Sequence, residues 1–163
     1  MSGSCVPRST LAIVALGSNL GDSQATVLKA MERLQAFSES PILRSGLLKT
    51  SPVDCPPDSP DFVNAVVAFP PRADETPEAL LEKLLNLELE FGPRPRVVVN
   101  APRHLDLDLI AIGDETRDTP ELTLPHPRAH LRRFVLEPLA EIAPDLILPG
   151  LTETVADLLK TCD

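Results

Sequence analysis

Residues 101–112, APRHLDLDLIAI, hold the side chains best suited to chemistry. Asp106 and Asp108 stand two apart in Leu105-Asp106-Leu107-Asp108-Leu109, an alternation with the period of a β-strand that buries one face. With the leucines inward, both carboxylates share the outer face, their Cα atoms roughly 6.5 to 7 Å apart. Carboxylates held so close repel each other, and a rigid strand cannot separate them, so a hard divalent cation between them would relieve the repulsion. The plain alternative is the charged face of an edge strand, since charge blunts edges. Aspartate is a poor strand former, and two on one face of an apolar strand is a local conflict that function could explain.

The neighbourhood is basic. From Gly92 to Val135 seven arginines (Arg94, Arg96, Arg103, Arg117, Arg128, Arg132, Arg133) face six acids, whereas the rest of the chain carries eight basic against eighteen acidic residues. His104, His126 and His130, the only histidines, fall in the same stretch. Such a local field suits an anionic ligand. The net charge of −9 argues against nucleic acid as a partner, because that needs a basic face to displace counterions. His126 and His130 are four apart, but Pro127 between them disfavours the regular helix that a metal pair would need; their plainer role is at a helix end facing an anion.

The elements that position this strand read in order along the chain. Leu11–Leu16 is a short apolar strand broken at Gly17, and Asp22 caps a helix with a stripe of Val27, Leu28, Met31 and Leu34. Ile42–Thr50 reads as a second strand. Residues 51–60, with four prolines, form a stiffened loop, and Asp61–Phe69 is a third strand in which Asn64 is the polar exception. A buried carboxamide there either ties down a loop or reads the edge of a heterocycle. Thr76 caps and Pro77 opens a second helix whose Leu80, Leu81, Leu84, Leu85 and Leu87 face a core, with Glu88 and Glu90 as exposed charges; Gly92-Pro93 ends it. A proline- and arginine-rich segment, having the look of a lid, then enters the aspartate strand. Val135–Ile142 and Thr152–Lys160 add helical segments.

The order β-α-β-β-α-β predicts an α+β fold of the ferredoxin-like kind, an antiparallel sheet with two helices on one face and appended C-terminal helices free to cover the other. A length of 163 residues suits one domain, 1–163, with residues 1–9 expected as a flexible N-terminal extension. Cys5, Cys55 and Cys162 are odd in number and widely spaced, which argues against a disulfide framework. With no long apolar run or signal-like start, the expectation is a cytoplasmic monomer that engages no membrane.

Four stretches together resemble one family, the 6-hydroxymethyl-7,8-dihydropterin pyrophosphokinases of folate biosynthesis: ALGSNLGD at 15–22, PDFVNAVVAF at 60–69, APRHLDLDLI at 101–110 and LPHPRAHLRRFVLEPLAEIAPDL at 124–146. They occur in the family's order and span most of the chain. The resemblance implies transfer of pyrophosphate from ATP to the hydroxymethyl oxygen of the pterin, with release of AMP. It implies that Asp106 and Asp108 hold two magnesium ions along the triphosphate, where paired metals clamp attacking and leaving oxygens. It assigns Glu88, Arg94, Arg96, Arg103, Leu109, Thr123, His126 and Arg132 to ATP. It assigns Thr50, Val53, Phe62, Asn64 and Phe134 to the pterin, and Arg94 and Arg103 to catalysis beside the aspartates.

Phe62 stands where the family often has Tyr, which keeps the π-face and drops a hydroxyl. The family commonly reads Gly-Arg-x-Arg where this chain reads Gly92-Pro93-Arg94-Pro95-Arg96, leaving open which arginine reaches phosphate. Two further readings stand beside the active enzyme: a homologue that binds pterin or nucleotide without efficient transfer, and a glycosyltransferase of the Asp-x-Asp kind, for which 163 residues are few.

Overall fold

The computed structural model describes residues 11–19, 22–50, 61–73, 75–92 and 104–162. Expectations for residues 1–9, for the loop 51–60 with Val53, and for the arginine segment with Arg94, Arg96 and Arg103 lie outside the described residues.

The central strand is β1 (Ala12–Ser18), every residue of which is buried. On one side it pairs antiparallel with β4 (Phe62–Phe69), and on the other with β5 (Asp106–Ile112). The outer edge of β4 pairs with β2 (Leu43–Arg44) and β3 (Leu48–Thr50), also antiparallel. The sheet order is therefore β2/β3, β4, β1, β5. A separate two-residue ribbon joins β6 (Arg117–Asp118) to β7 (Thr123–Leu124), and the Leu124–Pro125 peptide is cis.

The single strand expected over Ile42–Thr50 is interrupted. Ser45 exchanges backbone contact with Val66 and also accepts the Val66 N–H on its Oγ at 2.9 Å, so a side chain takes a ladder position and splits the strand. The Gly46 N–H is held by Glu141 at 2.9 Å.

Alternation sorts the sheet into two apolar faces. Ala12, Val14 and Leu16 of β1, with Val63, Ala65, Val67 and Phe69 of β4, pack against α1 (Ser23–Leu34) and α2 (Pro77–Phe91). Ile13, Ala15, Val66 and Ala68 face the other way, against α3 (Arg133–Ile142) and α4 (Val155–Thr161). The C-terminal helices thus cover the second face. Asp22 caps α1 through Ala25 N–H, Thr76 caps α2 through Ala79 N–H, and Thr154 caps α4 through Asp157 N–H. Gly92 ends α2 with φ +151°, and a side chain there would collide with the His104 ring. Leu28 and Leu85, expected in the core, are half exposed. Ala30, not Leu28, completes the buried stripe of α1 with Val27, Met31 and Leu34.

Candidate active site

Register brings the candidate residues together. Asn64 of β4 and Asp106 of β5 both pair with Gly17 of β1, and Asp108 pairs with Ala15. Directly paired residues project to the same side of a sheet. Asn64, Gly17 and Asp106 therefore form one row across three strands, on the α3 side, with Gly17 and Asn64 buried and Asp106 half-buried. Leu48 extends the row on β3. Asp106 and Asp108 are half-buried while the residues between and beside them, Leu105, Leu107 and Leu109, are buried, as the alternation required.

At the β4 end, the Asn64 amide donates through Nδ2 to Thr50 Oγ at 2.8 Å. With Nδ2 on Thr50, the carboxamide oxygen lies toward Gly17. Thr50 itself pairs with Phe62, which is half-buried at the start of β4. Phe134 opens α3 and is 37% exposed, so its ring is not spent on the core. The Arg132 guanidinium lies over it, 5.5 Å from the centroid, a cation–π contact.

At the β5 end, Glu88 is 2% exposed and accepts the Leu107 N–H on Oε2 at 2.7 Å. The expectation of an exposed helix charge is thus corrected. Glu88 follows Leu80, Leu84 and Leu87 at helical spacing, so it lies on the buried stripe of α2, where the edge N–H of β5 is a partner for its carboxylate. That spacing was the available signal. The Ile110 carbonyl accepts the His126 N–H at 2.7 Å, which ties the segment before α3 to the same strand. His126 Nδ1 accepts the Arg128 N–H at 3.2 Å, which puts the neutral ring's proton on Nε2. Burial, then the charges of Arg132 and Arg128, hold the His126 pKa below the ordinary histidine value, with Asp106 pulling the other way.

Two assigned residues do not join this row by their side chains. Leu109 is 4% exposed and packs in the core beneath α1 and α2, on the face opposite Asp106 and Asp108. Thr123 is exposed on β7. Two concavities on the surface, one beside Leu11, Ala111 and Leu148 and one beside Arg72, Glu75 and Arg117, share no residue with the row.

The sequence profile of the 7,8-dihydro-6-hydroxymethylpterin-pyrophosphokinases matches residues 13–144. The chain belongs to this family. A 2-amino-4-hydroxy-6-hydroxymethyldihydropteridine pyrophosphokinase of Synechocystis is 38% identical over 152 residues, which are 93% of this chain and 76% of that protein. The Pseudomonas aeruginosa protein of the same name is 38% identical over 149 residues, 91% of this chain and 90% of its own length. Among solved structures, a Plasmodium falciparum HPPK-DHPS with pteroate superposes with a TM-score of 0.68 at 14% identity, over 92% of this chain and 42% of that one. At that identity the likeness is one of fold, and this chain spans less than half of that longer chain.

Cations fit the donor set in a particular way. Among the described residues no group of three or more His, Cys, Asp or Glu side chains is placed to cage a metal. Two carboxylates on one strand are what a magnesium ion uses when waters and substrate phosphates complete its octahedron.

Proposed function

We propose that this chain transfers pyrophosphate from ATP to 6-hydroxymethyl-7,8-dihydropterin, releasing AMP, as a step of folate biosynthesis. The observation that carries the reading is the row Asn64, Gly17, Asp106 across the sheet. It sets a pinned hydrogen-bond acceptor and an acidic pair on one face, separated by two inter-strand spacings, roughly 10 Å. A heterocycle bound by its edge at Asn64 would direct its hydroxymethyl arm toward Asp106 and Asp108.

Each residue then has a physical task. Asn64, Thr50 and Val53 read the heterocycle's edge, and Phe62 and Phe134 offer ring faces to stack on it. Asp106 and Asp108 would hold two magnesium ions, which supply charge neutralisation at the transferring phosphoryl groups. Arg94, Arg96, Arg103 and Arg132 present planar forks to phosphate oxygens, and neutral His126 donates through Nε2–H. Glu88 acts through Leu107, setting the height of the strand between the aspartates. The Leu109 side chain is spent in the core, so its contribution to the ATP site is through the backbone of edge strand β5. Thr123 offers its hydroxyl from β7. The hydroxymethyl oxygen attacks the β-phosphorus in line, the bond to the α,β-bridging oxygen breaks, and AMP leaves without a covalent protein intermediate.

The strand order, with α1 and α2 on one face, supports reading the sheet as ferredoxin-like. Among the described residues no helix is long and apolar enough to cross a membrane. We place the reaction in the cytoplasm and take residues 1–163 as one domain acting as a monomer.

The test is AMP formation from ATP and 6-hydroxymethyl-7,8-dihydropterin, with magnesium and with excess chelator. Magnesium-dependent AMP without ADP is the expected result. Asp106→Asn or Asp108→Asn should lower turnover by at least about 100-fold with an unchanged fold, since even an outer-shell change at a metal site costs 10–100-fold. Full activity in both variants would overturn the reading.

A further inference from the structure

We propose that Glu141, which takes no part in the chemistry above, is a positioning residue: its bond to the Gly46 N–H ties the broken edge of the sheet to α3 and so sets the spacing between the Phe134 ring and the Thr50–Asn64 pair. This rests on the function proposed above.

The two partners of that bond are held very differently. α3 is seated on the sheet by Val135, Leu136 and Leu139, all buried. The edge is short of bonds of its own, since β2 has two residues and β3 has three. Between them the Ser45 N–H donates to the Val66 carbonyl, and Ser45 Oγ accepts the Val66 N–H and donates to the Gly46 carbonyl. The Gly46 N–H goes to Glu141 Oε1 at 2.9 Å. A Cβ at position 46 would stand 3.3 Å from the same oxygen, so the glycine lets the carboxylate come close. What Glu141 secures is therefore the edge, with α3 as the fixed support.

Direction and spacing connect this bond to the site. The segment that follows α3, residues 145–149, lies beside Leu11, Ile13 and Ala111, at the end of the sheet away from Gly17. The start of α3, with Phe134, is thus its end nearer the row. Phe134 and Glu141 are seven apart, close to two turns, so they share one face of α3 and lie roughly 10 Å apart along it. From Gly46 the edge heads the same way: Ser45 is level with Val66, Leu48 with Asn64 and Thr50 with Phe62. Four residues of extended chain advance it by roughly 13 Å. Helix and edge thus leave the Glu141–Gly46 bond together, one reaching a ring face and the other the hydroxyl that holds Asn64. An edge that drifts from α3 changes the gap between them, and a misplacement of about 1 Å is enough to weaken a site.

The experiment measures 6-hydroxymethyl-7,8-dihydropterin affinity by calorimetry, with a non-hydrolysable ATP analogue and magnesium present, in wild type, Glu141→Ala, Glu141→Gln, Phe134→Ala and the double variant with both alanines. Glu141→Ala should weaken the dihydropterin by about 3- to 5-fold and leave the analogue's own affinity within about 2-fold, whereas Glu141→Gln, which keeps an acceptor oxygen, should stay within about 2-fold of wild type. In the Phe134→Ala background the loss of Glu141 should add less than about 1.5-fold, because groups that act through one contact are not additive, while a merely structural contribution would be. An unchanged affinity in Glu141→Ala, an equal loss in Glu141→Gln, or full additivity with Phe134→Ala would each overturn the proposal. Should Glu141→Ala fail to fold, Glu141→Asp, a methylene too short for Gly46 with the charge kept, takes its place in every comparison. Failure of the broader reading looks different: wild type would then neither bind the dihydropterin nor release AMP, and the inference about Glu141 would fall with it.

Discussion

Phe134 is the residue whose cost and use are most at odds. A ring 37% exposed at the first turn of α3 leaves apolar surface in water, and its partner among the described residues is the Arg132 guanidinium rather than a core. Replacing it with Ala should therefore leave stability almost unchanged but weaken pterin binding by about 5- to 10-fold, the loss of one stacking contact of about 1 kcal/mol. Calorimetric titration alongside thermal unfolding separates the two effects. His126 makes the opposite kind of prediction. Its folded-state pKa lies below the ordinary 6.5, so the unfolded chain takes up the proton more readily. The stability it contributes is complete above about pH 6.5 and is lost as the pH falls from there through the lower folded-state value. The drop in unfolding temperature between pH 7.5 and pH 5.5 should be smaller in His126→Asn than in wild type. Residue type was legible in the sequence where chemistry is local: the Asp106 and Asp108 alternation needs only the strand period. The row across the sheet was not, because it exists only once register sets Asn64 and Asp106 on either side of Gly17.

At the scale of elements, α2 and β5 meet through a carboxylate. Glu88→Ala would leave the Leu107 N–H buried without the acceptor it has at 2.7 Å, a loss of about 1–3 kcal/mol. Glu88→Gln retains an acceptor oxygen and should lose less; urea denaturation of the three proteins checks the order. The first two helices were readable from their caps and stripes, since Asp22 and Thr76 each accept from the expected first-turn N–H, whereas the Thr154 cap places the start of α4 three residues after the Thr152 that the pattern suggested. The break between β2 and β3 was not, because Ser45 interrupts the strand through a bond to Val66, 21 residues away. Glu88 was misread for a related reason. A charged residue on an apolar stripe announces a buried partner, and one that Glu88 has is a backbone N–H, which sequence does not display.

In the whole molecule, one sheet carries two cores built from different parts of the chain. The α1 and α2 core is assembled by residues up to and including Ile112 and joined by Leu122 and Leu124, whereas the second needs α3 and α4. Since β1 and β4 contribute to both, the halves cannot come apart without exposing the same strands, and unfolding should be a single transition. Leu139→Ala, at a position fully buried in the second core, should cost about 2–5 kcal/mol. Circular dichroism and Phe-sensitive near-ultraviolet signals should then shift together. A transition in which the α3 side melts first would contradict this. The two-sided cover was foreseeable in outline because helical patterns were left over after β-α-β-β-α-β. Their exact seat was not, since nothing local says which face remains bare.

The position of β5 has one more consequence. As the last strand of the sheet it presents a row of backbone groups that could template a neighbouring molecule's strand and start polymerisation. That edge is occupied: Glu88 takes the Leu107 N–H, the Ile110 carbonyl takes His126, and Asp106 and Asp108 charge the strand. The residues gathered for phosphate chemistry thus also keep the sheet from growing, so natural drift at this edge is constrained by solubility as well as by turnover.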